Sequence, residues 1–466
     1  MTVNPSIFKA YDIRGIYPQD INEENISQII KGIYTFFVKD LQKNKLGIAL
    51  GRDMRLSSPS LFNKAKAALV NMGADVFDIG LVSTPTFYFA VLKYGYDAGI
   101  QISASHNPPQ YNGIKFVRRD GNRLLKVGKG TGMEKVRENV LKQSFIASNK
   151  KGKVSENQKV VQDEIQSAFD TIKPKSIKPF KVVADPGNAM GILYLEKLFE
   201  KLPCKLIRMN FILDGTFPSH QPDPLEEKNV KDLEIKVKKE KADLGISTDG
   251  DADRIFFIDE KGKVVKASLI TSLLAKDILK EYPGEKVLID VRYVRNIWNA
   301  VKKSKGRPIV GKVGHALITT HMIREDVIFC GESSGHYFYR STGYAESSVL
   351  TILRLLKILT EESKPLSQLI KEVQSSVESG EYNFVLKDIN LSEGLLKNIA
   401  NDYKDGTISL MDGLAVDFPS WRFSIRTSNT EPLLRLNIEG ETKDLVENKL
   451  QELKSKILRS GAKEKH

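Results

Sequence analysis

Apolar runs that end in polar residues recur along the chain. Three of them are "KLGIALGRD" (45–53), "KPFKVVADPGN" (178–188) and "GEKVLIDVRY" (284–293). A pattern with helical spacing follows each run, in "SPSLFNKAKAALVNMG", "GILYLEKLFEKL" and "VRNIWNAVKKSKG". A strand, a polar turn and a helix in succession are typical of βαβ units, which build largely parallel sheets. The recurrence predicts three related α/β domains.

Changes in composition predict where the domains divide. A stretch rich in lysine and serine at 144–152 is typical of a linker, and an apolar strand ends in a turn at 259–262. After the helical pattern "PLSQLIKEVQSSV", a last unit shows the pattern strand–helix–strand–strand–helix and ends in the amphipathic "TKDLVENKLQELKSKIL". We expect a smaller α+β domain there. The predicted domains are 1–150, 151–259, 260–374 and 375–466.

Length and composition favour a globular, cytoplasmic protein. A chain of 466 residues is too long for one hydrophobic core, and 41% hydrophobic with 28% charged residues is ordinary for soluble proteins. No apolar run approaches the roughly 20 residues of a membrane span, and the first residues lack the apolar core of an export signal. The two cysteines, Cys204 and Cys330, are far apart, which favours a reducing compartment.

The net charge of +13 raises the question of an anionic partner. Much of the excess lies in lysine-rich stretches such as "KPKSIKPFK" and "EIKVKKEKAD", which carry neither interleaved aromatic residues nor a nucleic-acid motif. We therefore interpret them as solvated surface and expect no nucleic acid, membrane or obligate protein partner. A positive potential would still attract a phosphorylated small molecule.

The first loop with candidate chemistry lies in "GIQISASHNPPQYNGIKF" (99–116), between two alternating apolar runs that predict strands. It holds two hydroxyls, on Ser103 and Ser105, which would face the same side of an extended loop. Either serine could be a nucleophile. His106 and the prolines after it favour Ser105, because the stiff backbone there would fix the position of its hydroxyl better than that of Ser103. A serine hydrolase is disfavoured, because the Gly-x-Ser-x-Gly elbow is missing.

The second loop, "STDGDADR", alternates Asp249, Asp251 and Asp253, so an extended backbone would point three carboxylates one way. At about 5 Å and an effective dielectric near 20, each pair repels by roughly 3 kcal/mol, which calls for a cation or an arginine among them. Carboxylate oxygens suit Mg²⁺. An EF-hand is the competing interpretation, since Glu260 is twelfth from Asp249, but Arg254 occupies the position that needs glycine and the flanks predict strands.

Two further loops carry polar clusters. "FCGESSGHYFYR" presents Glu332, Ser333, Ser334 and His336 between glycines, a set that suits hydrogen bonding to sugar hydroxyls. "RFSIRTSNTEP" gathers the donors of a phosphate cradle: Arg426, Ser428, Asn429 and Thr430. A serine, a carboxylate cluster, sugar-binding groups and a phosphate cradle together indicate phosphoryl transfer on a phosphosugar.

The motifs "AYDIRG", "SASHNPPQYNGIK", "DGDADR", "GESSGH" and "RTSNTEP", in this order, strongly resemble those of the α-D-phosphohexomutases. Within that family the chain is most similar to the phosphomannomutase/phosphoglucomutase group. The resemblance spans nearly the whole sequence. It implies three related α/β domains with mixed sheets plus a smaller α+β C-terminal domain, arranged around a central cleft.

The resemblance also implies a reaction. Ser105 would be a phosphoserine that donates its phosphoryl group to a hexose phosphate. The hexose 1,6-bisphosphate formed would reorient, and the other phosphoryl group would return to the serine. One Mg²⁺ would be held by Asp249, Asp251 and Asp253 together with the Ser105 phosphate.

Further roles follow from the resemblance alone. It implies that Arg14, Arg254 and Lys115 act near the transferring phosphoryl group, with Lys115 as a candidate acid or base. The resemblance also implies a catalytic role for His336, a histidine of the cleft. It assigns other residues to the substrate: Glu332 and Ser334 to sugar hydroxyls, Arg426, Ser428, Asn429 and Thr430 to the non-reacting phosphate, and Tyr11, Arg292 and His315 to the cleft.

Three positions depart from the family pattern. Ser103 and Val313 stand where threonine is usual, and Ser333 stands where the residue varies among subgroups. The expected substrates are mannose and glucose phosphates. A phosphoglucosamine mutase is the nearest alternative, and a non-catalytic phosphosugar-binding protein is the alternative from another class.

Overall fold

The structure is a computed structural model, and it describes residues 3–386, 388, 391–427 and 433–465. Its contacts divide the chain into two compact units, Met1–Val265 with Ser334–Gln368 and Lys266–Ser333 with Leu369–His466. Among the described residues, no helix combines the length and the apolar character that crossing a membrane requires.

The first sheet of the first unit is mixed and has the strand order β1-β5-β4-β2-β3-β7, with β6 on β5. β2 pairs in parallel with β3 and β4, whereas β5 pairs antiparallel with β1 and β4. Its elements are β1 (Ile13–Ile16), α1 (Ile26–Leu41), β2 (Gly47–Arg52), α2 (Ser58–Asn71), β3 (Asp75–Leu81), α3 (Thr84–Lys93), β4 (Ala98–Ile102), β5 (Tyr111–Asp120), β6 (Arg123–Lys126), α4 (Met133–Leu141) and β7 (Val154–Glu156).

Hydrophobic alternation explains this sheet. Ile48 and Leu50 of β2, Phe116 of β5 and Phe37 of α1 are all buried in one core cluster. The predicted strands on either side of the serine loop are confirmed as β4 and β5. β7, which follows the linker-like stretch at 144–152, pairs in parallel with β3 and so extends this sheet.

The second sheet of the first unit has the order β11-β10-β8-β9. β8 pairs in parallel with β9 and β10, and only β11 runs antiparallel. Its elements are α5 (Val160–Ile172), β8 (Lys181–Asp185), α6 (Gly191–Phe199), β9 (Lys205–Arg208), α7 (Glu227–Glu240), β10 (Leu244–Thr248) and β11 (Ile255–Ile258). The aspartate loop joins two strands, β10 and β11, so the EF-hand alternative is wrong.

A third sheet includes three parallel strands of the second unit, in the order β13-β12-β14. Its elements are α8 (Ala267–Glu281), β12 (Lys286–Asp290), α9 (Arg295–Lys303), β13 (Arg307–Gly311), α10 (His315–Glu325) and β14 (Phe329–Gly331). The chain then returns to the first unit as an antiparallel strand pair and a buried helix: β15 (Tyr337–Tyr339), β16 (Ala345–Glu346) and α11 (Ser348–Glu362).

The fourth sheet belongs to the second unit and is antiparallel throughout, in the order β18-β19-β20-β21-β17-β22. Two strands were predicted between its helices, whereas the described part of that segment contains four, because short apolar runs between glycine and aspartate turns pair as hairpins. The elements are α12 (Leu366–Val373), β17 (Val377–Val385), α13 (Leu391–Asp402), β18 (Thr407–Ser409), β19 (Leu414–Asp417), β20 (Trp421–Thr427), β21 (Leu433–Gly440), α14 (Lys443–Arg459) and β22 (Lys463–Lys465).

Candidate active site

Ser105 lies in the loop that follows β4 and has a left-handed backbone with φ 50°. Such a conformation is uncommon for a residue other than glycine and is typical of functional turns. The side chain is buried, and Oγ donates a hydrogen bond of 2.7 Å to Asp249 Oδ2. Ser103 Oγ instead accepts the backbone N–H of Ser105 at 3.1 Å. The two serines therefore differ in role, since Ser103 stabilises the turn that presents Ser105.

A buried arginine fixes the backbone of this loop. Arg55 is fully buried, and its Nη2 donates to the carbonyl oxygens of Ser105 at 2.7 Å and Asn107 at 2.6 Å. Its Nη1 donates to the carbonyl oxygens of Pro108 at 2.8 Å and Tyr111 at 3.0 Å. The buried charge is balanced by Asp53, 3.3 Å from Nε. One guanidinium thus ties four carbonyl groups of the loop to the end of β2.

The aspartate loop packs directly against the serine loop. A Cβ atom on Gly250 would lie 2.2 Å from the carbonyl oxygen of Ser105, so this close approach requires glycine. The segment is a tight turn with Ala252 at φ 62°, and the expectation of an extended backbone is wrong. The turn nevertheless brings ligand atoms of Asp249, Asp251 and Asp253 within 4.8 Å of one another, all of them buried.

Two basic groups balance part of this negative charge. Lys115 Nζ lies 2.6 Å from Asp251 Oδ2 and 2.7 Å from Asp253 Oδ2. His336 Nε2 lies 3.2 Å from Asp253 Oδ1, and its Nδ1 lies 2.8 Å from Ser334 Oγ. Both ring nitrogens of His336 are therefore engaged, which fixes the ring.

The charges shift the pKa values of these groups. Burial alone would lower the pKa of Lys115, but Asp251 and Asp253 outweigh it and raise that pKa well above the usual value. Burial also opposes ionisation of Asp253, yet Lys115 and His336 hold its pKa well below the ordinary range. Burial and repulsion by the other two carboxylates raise the pKa of Asp249 well above its usual value.

The donor set fits a hard divalent cation. Three carboxylates converge, and the buried Asp251 Oδ1 has no hydrogen-bond partner among the described residues. The other oxygen of Asp251 accepts a bond of 2.6 Å from Thr84 Oγ1, which fixes the carboxylate in place. Oxygen ligands of this kind suit Mg²⁺. This cluster could therefore hold a metal ion.

Arginines flank the two loops. Arg14 in β1 donates to Asn107 Oδ1 of the serine loop and pairs with Asp12. Arg254 follows the aspartates, and its Nη1 lies 3.7 Å from Asp223 Oδ1. Tyr11 is half-buried just before β1. The structure thus brings Ser105, Arg14, Lys115, the three aspartates, Ser334 and His336 together in the first unit.

A second cluster lies in the second unit, at the ends of β12 and β14. Arg292 is buried, with Nη2 2.7 Å from Asp290 Oδ2 and 3.2 Å from Glu332 Oε1. Ser333 Oγ donates to Asp290 Oδ2 at 2.7 Å, and Gly314 N donates to Glu332 Oε1 at 3.3 Å. Asp290 and Glu332 raise the pKa of Arg292 against the opposing effect of burial. The pair Arg292–Glu332 is therefore an ion pair of fixed geometry.

An aspartate connects the remaining predicted residues of this unit. Asp412 Oδ2 accepts from Arg426 Nε at 2.9 Å and from the backbone N–H of Val313 at 3.0 Å. His315, half-buried, begins α10 two residues beyond Val313. Three residues of the predicted phosphate cradle lie outside the described residues: Ser428, Asn429 and Thr430.

Sequence reasoning missed four residues that fix the predicted groups. Arg55 holds the serine loop, Thr84 holds Asp251, Asp290 holds Arg292, and Asp412 holds Arg426. Asp290 stands at the polar end of a predicted strand, which is a signal that could have found it. Arg55 lies beyond the predicted run 45–53, Thr84 begins α3, and Asp412 lies between β18 and β19, where spacing carries no such signal.

Comparison with known families covers four stretches of the chain. Residues 5–139, 160–262 and 267–376 match the patterns described as phosphoglucomutase/phosphomannomutase alpha/beta/alpha domains I, II and III. Residues 392–455 match the C-terminal domain of the same family. The matches cover well over half of the sequence. The protein belongs to the phosphoglucomutase/phosphomannomutase family.

Curated relatives agree with this assignment. A phosphomannomutase of Vibrio cholerae is 36% identical over 459 residues and covers 96% of this chain and 97% of its own. A phosphomannomutase/phosphoglucomutase of Pseudomonas aeruginosa is 32% identical over 449 residues, covering 96% and 94%. The relatives and the family domains indicate an enzyme, an isomerase of the mutase class that acts on hexose phosphates.

Solved structures confirm the fold. A phosphoglucomutase/phosphomannomutase family protein from Burkholderia thailandensis matches with a TM-score of 0.87 at 27% identity over 99% of both chains. An N-acetylphosphoglucosamine mutase of Aspergillus fumigatus, in complex with GlcNAc-6P and magnesium, matches with a TM-score of 0.62 at 12% identity over 98% of this chain and 95% of its own. The latter likeness concerns the fold alone. The predicted α/β domains with mixed sheets and a smaller C-terminal domain are confirmed.

Proposed function

We propose that this protein interconverts hexose 6-phosphates and hexose 1-phosphates of mannose and glucose through a phosphoserine at Ser105 and a hexose 1,6-bisphosphate intermediate. The reaction class follows from the family. The phosphoserine, the bisphosphate and the residue roles below are the proposal.

One observation carries it. Ser105 Oγ is buried, presented by a strained turn, and lies 2.7 Å from a carboxylate oxygen of an aspartate cluster. A hydroxyl in this position suits in-line phosphoryl transfer, which depends on positioning and on stabilisation of negative charge.

Each transfer exchanges one O–P bond for another. A sugar hydroxyl oxygen attacks the phosphorus of phosphoserine, so that the new O–P bond forms while the P–Oγ bond of Ser105 breaks. The sugar hydroxyl loses its proton, and a proton is supplied to Oγ. After the bisphosphate reorients, Oγ takes the other phosphoryl group and the sugar oxygen is protonated.

Two side chains suit the proton transfers. Lys115 is an ammonium ion here, because Asp251 and Asp253 raise its pKa, and it can supply a proton. His106 Nδ1 lies 3.2 Å from Ser105 Oγ, and burial together with Arg254 and Arg14 lowers the pKa of His106 well below its usual value. A neutral imidazole at this distance can accept the serine proton.

We assign the metal to Asp249, Asp251 and Asp253 together with the Ser105 phosphate. Bound there, Mg²⁺ would neutralise part of the charge of phosphoserine, about −1.5 to −2. The unpartnered oxygen of Asp251 supports this assignment. Arg14 and Arg254 would balance the remaining charge.

The second unit would recognise the substrate. We assign Glu332 to sugar hydroxyls, with Arg292 holding its carboxylate, and Arg426 with Ser428, Asn429 and Thr430 to the non-reacting phosphate. Ser334, Tyr11 and His315 would complete the substrate site, and His336 would take part in catalysis. A cytoplasmic location and the lack of nucleic-acid, membrane or protein partners stay predictions.

A parallel assay tests the activity and the sugar preference. Mannose 1-phosphate, glucose 1-phosphate and glucosamine 1-phosphate are supplied separately with Mg²⁺ and hexose 1,6-bisphosphate, and formation of each 6-phosphate is followed by a coupled reaction. We expect turnover of the first two and little of the third. Exclusive turnover of glucosamine 1-phosphate would identify a phosphoglucosamine mutase, and turnover of none would favour a non-catalytic binding protein.

A further inference from the structure

A cavity of about 510 Å³ opens in the first unit, and its lining includes neither Ser105 nor the three aspartates of the cluster. It lies among α3, the turn between β5 and β6, α5 and residues 340–350. Its volume falls within the range of small-molecule sites, roughly 300–1,000 Å³. The proposed reaction gives this space no role.

The inner wall combines flat apolar groups with one carboxyl group. Tyr88, Phe89 and Leu350 line the cavity together with Glu164, which is 4% exposed. Glu164 Oε2 accepts a bond of 2.6 Å from Thr86 Oγ1. Burial raises the pKa of Glu164 to about 7, because the hydrogen bond from Thr86 offsets only part of the cost of burying its charge.

The outer part of the lining is basic. Lys93 and Arg123 are exposed, and Arg340 is half-buried. A ligand that satisfies both parts needs hydrogen-bond donors at its buried end, a flat apolar body and an anionic group at its exposed end. A nucleotide has this distribution of groups, because its base carries N–H donors and its phosphate carries the negative charge.

We propose that this cavity is a nucleotide-binding effector site, with the N–H groups of the base directed at Glu164, the ring beside Tyr88 and Phe89, and the phosphate at Lys93 and Arg123.

The first turn of α3 connects this site to the aspartate cluster. Thr84 donates to the side chain of Asp251 at 2.6 Å and its N–H donates to the carbonyl of Asp251 at 2.9 Å. Thr86, in the same turn, donates to Glu164. Ser83, the N-cap of α3, bonds Thr86 at 2.7 Å through the two hydroxyls. A ligand that moves Glu164 therefore acts on the turn that positions Asp251.

A second lining residue, Glu346, also connects the cavity to the aspartate cluster. Glu346 lines the cavity, pairs with Lys126, and has a carboxylate oxygen within 4.8 Å of ligand atoms of Asp253 and His336. Glu164, through the first turn of α3, and Glu346 thus both connect the cavity lining to the aspartate cluster. We expect an occupied cavity to change turnover without competing with the sugar phosphate.

Direct binding is measured by calorimetry on the full chain with nucleoside mono- and diphosphates of each base, and with ribose 5-phosphate and inorganic phosphate as controls. We expect at least one nucleotide to bind with a Kd below about 1 mM, and ribose 5-phosphate to bind at least about tenfold more weakly. If no nucleotide binds more tightly than ribose 5-phosphate, the proposal is wrong.

Variants locate the site. Lys93→Ala should weaken binding about tenfold, whereas the matched variant Lys135→Ala, at an exposed lysine of α4 outside the lining, should leave it unchanged. Glu164→Gln should alter the preference among bases, and Ser167→Trp should fill the cavity and abolish binding. Circular dichroism checks that each variant is folded, and Lys93→Ala decides the question if a buried variant fails that check.

Steady-state kinetics then distinguish an effector site from the substrate site. The expected result is a nucleotide effect on kcat that Lys93→Ala weakens and that saturating sugar phosphate does not remove. Simple competition with sugar phosphate, or binding that leaves turnover unchanged, would contradict the effector role. Because binding is measured without turnover, failure here is distinguishable from failure of the proposed mutase reaction.

Discussion

The guanidinium of Arg55 donates to the carbonyl oxygen of Ser105 at 2.7 Å, and this bond belongs to a set of four that fixes the serine loop. The ring of Phe217 lies 5.1 Å from that guanidinium and covers it. A lysine could not donate to four carbonyl groups in this planar arrangement. Arg55 is therefore a positioning residue, which acts on the reaction through the backbone of Ser105.

Arg55→Lys should lower kcat at least about tenfold and change KM little, because a displaced loop misaligns the transfer more than it weakens binding. The control is Arg208→Lys, which alters an exposed ion pair with Glu196 in the same unit. Steady-state kinetics on both variants give the comparison. Equal kcat values for Arg55→Lys and Arg208→Lys would show that Arg55 is not a positioning residue.

Asp251→Ala should lower turnover at least about 100-fold, since it removes a carboxylate that no other side chain replaces. It should also weaken Mg²⁺ binding measured by calorimetry, a readout that does not need activity. Asp243→Ala, at an exposed aspartate before β10, is the matched control. Undiminished turnover in excess EDTA would contradict the metal assignment.

Asp412→Ala should raise KM about tenfold with a smaller effect on kcat, because Arg426 loses the partner that fixes its guanidinium. Asp405→Ala, at an exposed position of the same unit, should behave as the wild type. A change in kcat with constant KM would show that Arg426 does not bind the substrate phosphate in the ground state.

Glu439→Gln should change how stability depends on pH. Burial raises the pKa of Glu439 from 4.5 to about 7. Arg422, whose Nη1 lies 3.7 Å from Glu439 Oε1, and the backbone N–H groups at the start of α9 oppose this rise. The carboxylate of Glu378, which pairs with Glu439 across β17 and β21, adds to it. Between these pH values the folded chain binds more protons than the unfolded chain, so the free energy of unfolding falls as pH rises. The fall is on the order of 3 kcal/mol.

The variant should remove that fall and therefore gain stability relative to the wild type between pH 4.5 and pH 7. Urea unfolding at both ends of this range measures it, with Glu441→Gln, at an exposed glutamate, as the control. If wild type and variant differ in free energy of unfolding by the same amount at both pH values, Glu439 does not have the raised pKa.

Much of the fold was predictable, because short apolar runs that are rich in β-forming residues and end in polar residues are typical of strands. β2, β4, β5, β8 and β12 follow that rule. The hairpins of the fourth sheet did not show the same signal, because their short runs are stabilised by cross-strand pairing that no local pattern reveals.

The site was predictable in its groups but not in its geometry. Three alternating aspartates indicated a cation, yet they converge through a left-handed turn at Ala252 and not through an extended strand. Arg55 acts on residues far along the chain, and its role depends on a tertiary contact that spacing cannot encode.

The most direct test of the account is the site of phosphorylation. The protein is incubated with hexose 1,6-bisphosphate and Mg²⁺, digested, and analysed by phosphopeptide mass spectrometry, with Ser105→Ala and Ser103→Ala treated in the same way. We predict phosphate on Ser105, none on Ser103, and loss of nearly all mutase activity in Ser105→Ala with only moderate loss in Ser103→Ala. Phosphate on Ser103 and not on Ser105, with Ser105→Ala still active, would contradict this prediction.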